Sequence, residues 1–245
     1  MFLSKIYGFF KRHKDVRNES VSRNVPVEHR TRRASDSDRR YVGMLEERMA
    51  FEQNCNWASG SRNAQKSFSK QLIDAAKELG IYLTKAQCAD LGEFVPIRSG
   101  ESRIYENAAQ GLIYKIRDPF AKLHLKSLDL RCILYEHVVH NILFPETRYA
   151  FVGVTGEEDD ARMIYSQSIF FKNNYPTQQQ IDKRLNEIGL LPEPYYYYGN
   201  EYVSITDVNE NSDNVLISDD TLLFIDPVIK IKKNPNEVID FLLQE

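Results

Sequence analysis

The chain has 245 residues, 42% of them hydrophobic and 27% charged, with a formal net charge of −3. That is enough apolar material for a sizeable core and too much for a wholly disordered chain, while no run approaches the roughly 18 apolar residues of a membrane-spanning helix. Collagen-like, mucin-like and transmembrane classes are excluded. The three cysteines, Cys55, Cys88 and Cys132, are widely spaced, odd in number and lack a CxxC pair, which argues against a disulfide framework or zinc site and fits a reducing, cytoplasmic setting.

Charge is unevenly placed. Residues 1–42 hold 11 Lys/Arg against 5 Asp/Glu, so this end is about +6 and the remainder about −9. Residues 1–40 read as a basic flexible arm. Near its start Phe2, Leu3, Ile6, Phe9 and Phe10 lie among Lys5, Lys11, Arg12 and Lys14, a pattern suited to an acidic partner or a membrane surface. Arg32-Arg33-Ala34-Ser35 places a serine after two arginines, as basic-directed kinases favour. The arm lacks the aromatic interleaving of a base-stacking platform, so no specific nucleic-acid binding is expected.

Residues 41–91 read as a helical extension. A helix is expected from Tyr41 to about Phe51, a break around Gly60, then a helix over Ser67–Leu79 stopped by Gly80, and a short one over Thr84–Leu91. From Gly92 the pattern turns to strands: Phe94–Arg98, a turn at Ser99-Gly100-Glu101-Ser102, Arg103–Glu106, and Leu112–Ile116 carrying Lys115. Leu123–Leu143 then reads as one long helix with Glu136 on it, where a carboxylate could pair with Lys115. Arg131, His137 and His140 are expected as exposed or core-edge neighbours.

Tyr149–Val154 and Arg162–Gln167 read as two further strands, after which Ser166-Gln167-Ser168 leaves the sheet. Thr177–Ile188 is a predicted helix with Gln180 placed for a capping box. The tyrosine run Tyr195–Tyr198 suits a turn or strand. Finally, YVSITDVNENSDNVLISDDTLLFIDPVIKI over Tyr202–Ile231 gives a strand, Asp207, a polar loop, Asn214, a hairpin with an Asp-Asp turn, and Asp226-Pro227. Such a hairpin gathers Asp207, Asn214 and Asp226 at one end, either as hard oxygen donors for Mg²⁺ or as ordinary turn formers.

The blocks SGESRIYENAAQGLIYKIRDPFAK, LYEHVVHNILFPETRYAFVG and ITDVNENSDNVLISDDTLLFIDPVIKI, from about Gly92 to Ile231, resemble the polyvalent protein kinase domain of bacterial mobile elements, itself similar to the protein kinase and aminoglycoside phosphotransferase superfamily. The resemblance implies an α+β, compact protein-kinase-like fold: an antiparallel N-lobe sheet with one long helix over about 92–167, and a reduced C-lobe over about 168–245. It implies ATP and Mg²⁺ as cofactors and a protein or small molecule as acceptor. Ser99, Gly100, Glu101 and Ser102 would cover the phosphates, Lys115 would contact them with Glu136 as its partner, and Gln167 would stand at the nucleotide hinge. Asp207 would orient the acceptor, and Asn214 and Asp226 would bind metal.

The sequence departs from that pattern in three places. Ile205-Thr206 replace the His-Arg before the catalytic aspartate, and Asn214 follows Asp207 by seven residues where the family has five. A slipped alignment would pass a role to Asp213 or Asn211. Only 19 residues follow Asp226, so no activation segment is expected. These departures keep a second reading open, a kinase-like nucleotide- or partner-binding module without turnover.

Overall fold

The computed structural model describes residues 39–49, 61–96, 102–121, 129–171 and 174–244. Residues 1–38 of the expected arm, Ser35 among them, and Ser99, Gly100 and Glu101 of the expected phosphate loop lie outside them, while residues 39 and 40 are helical rather than part of an arm. A first helix, α1, covers 39–48 and buries Val42 and Leu45. Helix α2 (Arg62–Glu78) starts at Ser61, whose side chain accepts the Ala64 N–H, and buries Phe68, Leu72, Ile73, Ala75 and Ala76. It ends as the sequence predicts. Gly80 has φ +69°, and the N–H groups of Gly80 and Ile81 donate to Lys77 and Ala76, a Schellman closure that needs a residue without Cβ.

After the short α3 (Lys85–Ala89), capped by a Thr84–Gln87 box, the chain enters a five-stranded antiparallel sheet. Its strands are β1 (Glu93–Val95), β2 (Ser102–Asn107), β3 (Leu112–Arg117), β4 (Ala150–Glu157) and β5 (Asp160–Ser168), in spatial order β1-β2-β3-β5-β4. Helix α4 (Arg131–Leu143) lies between β3 and β4 in sequence and is buried over most of its surface. Residues 123–128 of the expected helix lie outside the described residues; Asp129 accepts the Arg131 N–H at 3.0 Å and forks onto its guanidinium, so residues 129 and 130 stand before α4 rather than in it. His137 and His140 correct a second expectation. Both are interior, 4% and 2% exposed.

Beyond β5, helix α5 (Gln178–Glu187) carries the predicted Thr177–Gln180 capping box. A four-stranded sheet follows, ordered β11-β8-β7-β6, from β6 (Leu191–Glu193), β7 (Tyr197–Gly199), β8 (Val203–Thr206) and β11 (Val228–Ile231). Between β8 and β11 stands the hairpin β9 (Val215–Ser218) and β10 (Thr221–Phe224). Asp219 and Asp220 both have positive φ, the type I′ geometry of a two-residue hairpin turn. Helix α6 (Pro235–Leu242) closes on α1 through an Arg39–Asp240 pair at 3.1 Å.

One apolar cluster joins the two sheets. It runs from Leu45 and Phe68 through Val138 and Tyr149 to Val203, Ile229 and Val238. Helix α4 is its spine, so whatever stands on α4 is placed relative to both sheets at once. Among the described residues no helix is long and apolar enough to cross a membrane.

Candidate active site

Alternation along β3 decides where its lysine goes. Ile116 joins Cys88 and Ile164 in a small cluster on one face, which turns Lys115 and Arg117 to the opposite face. There Lys115 is 5% exposed and donates to the Tyr149 hydroxyl at 3.0 Å. Burial pulls its pKa below the ordinary lysine value, and the nearby Arg117 charge adds to this. Arg117 also reaches the Tyr149 hydroxyl, at 3.4 Å, and forms an ion pair with Asp226. The Tyr149 hydroxyl in turn donates to the Ile225 carbonyl at 2.5 Å and stands 3.2 Å from Oδ1 of Asp226. Although burial alone raises the phenol pKa, the Arg117 and Lys115 charges bring it below its usual value.

The main chain leading to Asp226 is gripped from the N-lobe. Thr147 donates to the Phe224 carbonyl at 2.6 Å, and His140 Nε2 lies 3.3 Å from the same oxygen. Gln167 Nε2 donates to Thr147 at 2.5 Å and to Ile225 at 3.3 Å. Gln167 is 2% exposed, so its amide is a strut between the end of β5 and the residue before Asp226. Beyond β5, Asn174 and Ile217 exchange main-chain bonds, and Phe170 packs on Leu216, Leu223 and Ile225.

Strand pairing brings the acidic residues together. In the antiparallel β8–β11 pair Val228 faces Thr206, so Asp207 and Asp226 leave the same end of one ladder on neighbouring strands. Asp207 has φ +66°, a left-handed conformation tolerated best by Asp, Asn and Gly. Its carbonyl accepts Ser212 Oγ at 2.7 Å and Asn214 Nδ2 at 3.2 Å, while Ser212 N–H donates back to Asn209 at 2.8 Å. The loop is thereby a turn closed on itself. The Ile225 N–H donates to the Asn214 carbonyl at 2.8 Å, which sets Asn214 beside the strand end carrying Asp226. Asn211 is exposed, and Asp213 lies 3.5 Å from the Tyr175 hydroxyl.

The remaining candidates sit elsewhere. Glu136 lines a cavity of about 40 Å³ with Arg117, His137 and Pro227, whereas the hydrogen bond of Lys115 goes to Tyr149. Ser102 is the first residue of β2, opposite Arg117. By that register its side chain shares the face of Arg117 and Lys115, at the rim of a cavity of about 480 Å³ that Lys85, Arg103 and Ile116 line from the other face. Among the described residues no three His, Cys, Asp or Glu side chains converge as a metal cluster. The donor set of an Asn amide oxygen and one carboxylate nonetheless fits Mg²⁺, which takes one or two carboxylates and completes its shell with water and phosphate oxygens.

Sequence reasoning did not single out Tyr149, Arg117, Asn141 or Thr147. Tyr149 read only as the first residue of a strand, and its hydroxyl gains meaning once β3, α4 and β10 converge on it.

The model of a family described as serine/threonine/tyrosine kinase found in polyvalent proteins matches residues 65–233. The chain belongs to this family. The match runs from within α2 to just past β11 and thus contains Lys115, Asp207, Asn214 and Asp226. No curated protein and no solved structure matches the chain significantly. Membership makes the α+β assembly a compact kinase-like fold and the protein a kinase-type phosphotransferase in the general sense. In this kinase, Asp226-Pro227 leads directly into β11 with no intervening segment.

Proposed function

We propose that this protein is an ATP- and Mg²⁺-dependent phosphotransferase of atypical kinase type, acting on a protein or small-molecule hydroxyl. The observation that carries the reading is convergence: the β8–β11 ladder sets Asp207 and Asp226 at one strand end, and the Tyr149 hydroxyl ties Lys115 to Ile225 and Asp226 at that same place. Phosphoryl transfer asks a protein mainly for positioning and charge neutralisation. Lys115 would meet the nucleotide phosphates, and the desolvation that lowers its pKa also strengthens its attraction to them. Asp207 would orient the acceptor hydroxyl and take its proton. Asn214 and Asp226 would hold the Mg²⁺ that, when bound, neutralises charge building on the transferred phosphoryl group. Ser99, Gly100, Glu101 and Ser102 are assigned to cover the phosphates, and Glu136 to the electrostatics behind Lys115 and Arg117.

The test is calorimetric titration of Mg²⁺–ATP into the wild type and the Lys115→Ala and Asp226→Ala variants. Saturable binding by the wild type, lost in both folded variants, is expected. A well-folded wild type that takes up no nucleotide would sink the reading.

A specific observation favours a second reading, a nucleotide- or partner-binding module without turnover. Lys115 is held by a phenol instead of the helix carboxylate, and the Asp207–Asn214 loop is lengthened. Asp207→Asn separates the two. Under the enzyme reading it abolishes transfer while nucleotide affinity stays within about twofold.

A further inference from the structure

Lys115 is an ammonium in the interior, and a buried charge persists only with a partner. The helix residue suited by type to that task, Glu136, faces the small cavity beside Arg117 and Pro227 instead. The partner present is Tyr149. Its hydroxyl is used to capacity, accepting from Lys115 and Arg117 and donating to Ile225. Its placement leaves no freedom. The Tyr149 N–H donates to Asn141 Oδ1 and the Asn141 amide donates back to the Tyr149 carbonyl, both at 2.7 Å, so α4 clamps the tyrosine's main chain on both polar groups. The ring is packed against His140 at 4.7 Å and Tyr165 at 5.8 Å between centroids, and is 2% exposed. Lys115 Nζ stands 4.9 Å from the ring centroid, adding a cation–π contact.

We infer that Tyr149 is the positioning residue of the nucleotide site, joining the phosphate-facing Lys115 to the strand end that carries Asp226 and taking the place a helix carboxylate would fill. The inference rests on the phosphotransferase reading. It deepens that reading by assigning the lysine's aim to a residue that never touches substrate. Helix α4 sets Asn141, Asn141 sets Tyr149, and Tyr149 sets Lys115 against Ile225 and Asp226. Removing the hydroxyl keeps the ring and its packing, and Gln167 still donates to the Ile225 carbonyl. The cost of Tyr149→Phe therefore falls on Lys115, whose hydrogen bond at 3.0 Å is lost, and not on the packing of the ring.

The test compares Mg²⁺–ATP and adenosine binding in the wild type, Tyr149→Phe and Glu136→Gln, with adenosine measured as a competitor and folding checked by thermal melting. Because Lys115 acts on phosphates, Tyr149→Phe should weaken Mg²⁺–ATP about tenfold, the scale of one charge-assisted hydrogen bond, and leave adenosine within about twofold. Glu136→Gln should cost less for Mg²⁺–ATP than Tyr149→Phe does. Equal weakening of both ligands would mean a merely structural tyrosine and overturn the inference. So would an unchanged Mg²⁺–ATP affinity in Tyr149→Phe, or a loss of about tenfold or more in Glu136→Gln; that last arm decides even if the tyrosine variant melts below the assay temperature. A folded wild type with no Mg²⁺–ATP binding overturns the phosphotransferase reading itself, an outcome distinct from all of these.

Discussion

Two parts of the candidate site are built by opposite means. The Lys115–Tyr149 cluster is interior and assembled from four separate stretches of chain: β3, α4, the segment before β4, and the residues after β10. The Asp207–Asn214 loop is held by bonds among its own residues, with Ser212 and Asn214 returning to the Asp207 carbonyl. Placement in the first depends on tertiary packing, and in the second on local turn chemistry and one left-handed residue. Substitutions in the cluster should therefore act on nucleotide binding and be felt, in either direction, in stability, whereas substitution of Asp207 in the loop should touch turnover alone.

The largest expected effect breaks the comparison at the loop. Asp207→Asn keeps a residue type that tolerates φ +66°, so the melting midpoint should hold. The transfer rate should fall by roughly 10² to 10⁴, the range of a positioned acid–base group. A coupled radiolabel-transfer assay and a melting curve on the same sample check both halves, and a falling midpoint would show that the loop is not independent.

Lys115→Met tests the cluster. At neutral pH the unfolded chain keeps the ammonium in water while the folded one must bury it, consistent with its lowered pKa. A methionine of similar length should leave the unfolding midpoint equal or higher, while Mg²⁺–ATP affinity falls at least about tenfold. Chemical denaturation and calorimetry together distinguish this from simple loss of structure.

Gln167→Leu sharpens the contrast from the other side, since this strut serves the carbonyls of Thr147 and Ile225. Leaving a buried acceptor unpaired costs about 1–3 kcal/mol. Urea unfolding should show that loss together with weaker nucleotide binding. A loss of binding without a loss of stability would mean that the amide acts on the nucleotide directly.

Acid should strain the interior behind the cluster. Burial lowers the pKa of both His137 and His140 to about 3. Below the unfolded value of roughly 6.5 the unfolded chain binds protons that the folded chain excludes, so stability present at neutral pH is lost as pH falls. Each histidine contributes about 1.4 kcal/mol between pH 7.5 and 5.5. His137 packs between Phe151 and Tyr165 with neither ring nitrogen hydrogen-bonded. His137→Phe should remove its half of the acid loss, visible as a flatter dependence of melting midpoint on pH.

The smallest effect concerns the cap of α5, the helix that meets the loop where the Glu210 N–H donates to Gln178. Thr177→Ala removes the capping box and should cost about 1 kcal/mol by denaturant titration. Turnover should be nearly unchanged if the loop holds itself together.

Residue order alone made several elements legible, and each had a local cause. Gly80 stops α2 because a Schellman closure needs positive φ there. The Thr177–Gln180 pair starts α5 because it satisfies two orphan donors. The Asp219-Asp220 turn defines the β9–β10 hairpin, and alternation in LIYKIR identifies β3 with Lys115 on it. The expected gathering of Asp207, Asn214 and Asp226 rested on the same kind of cue, a polar loop followed by a short hairpin.

Where the lysine finds its partner was decided only in three dimensions. Nothing local distinguishes Tyr149 from any tyrosine opening a strand, and Glu136 has the chemistry but not the direction. The start of α4 was likewise misjudged, because apolar spacing continues through residues 129 and 130 while the Asp129 side chain takes the N–H that would have begun the helix earlier. A short-range hydrogen bond or turn leaves its signature in adjacent residues. A buried charge is satisfied by whichever oxygen the packed helix and sheets deliver, and that depends on contacts between Lys115 and Tyr149, 34 positions apart, which no local pattern encodes.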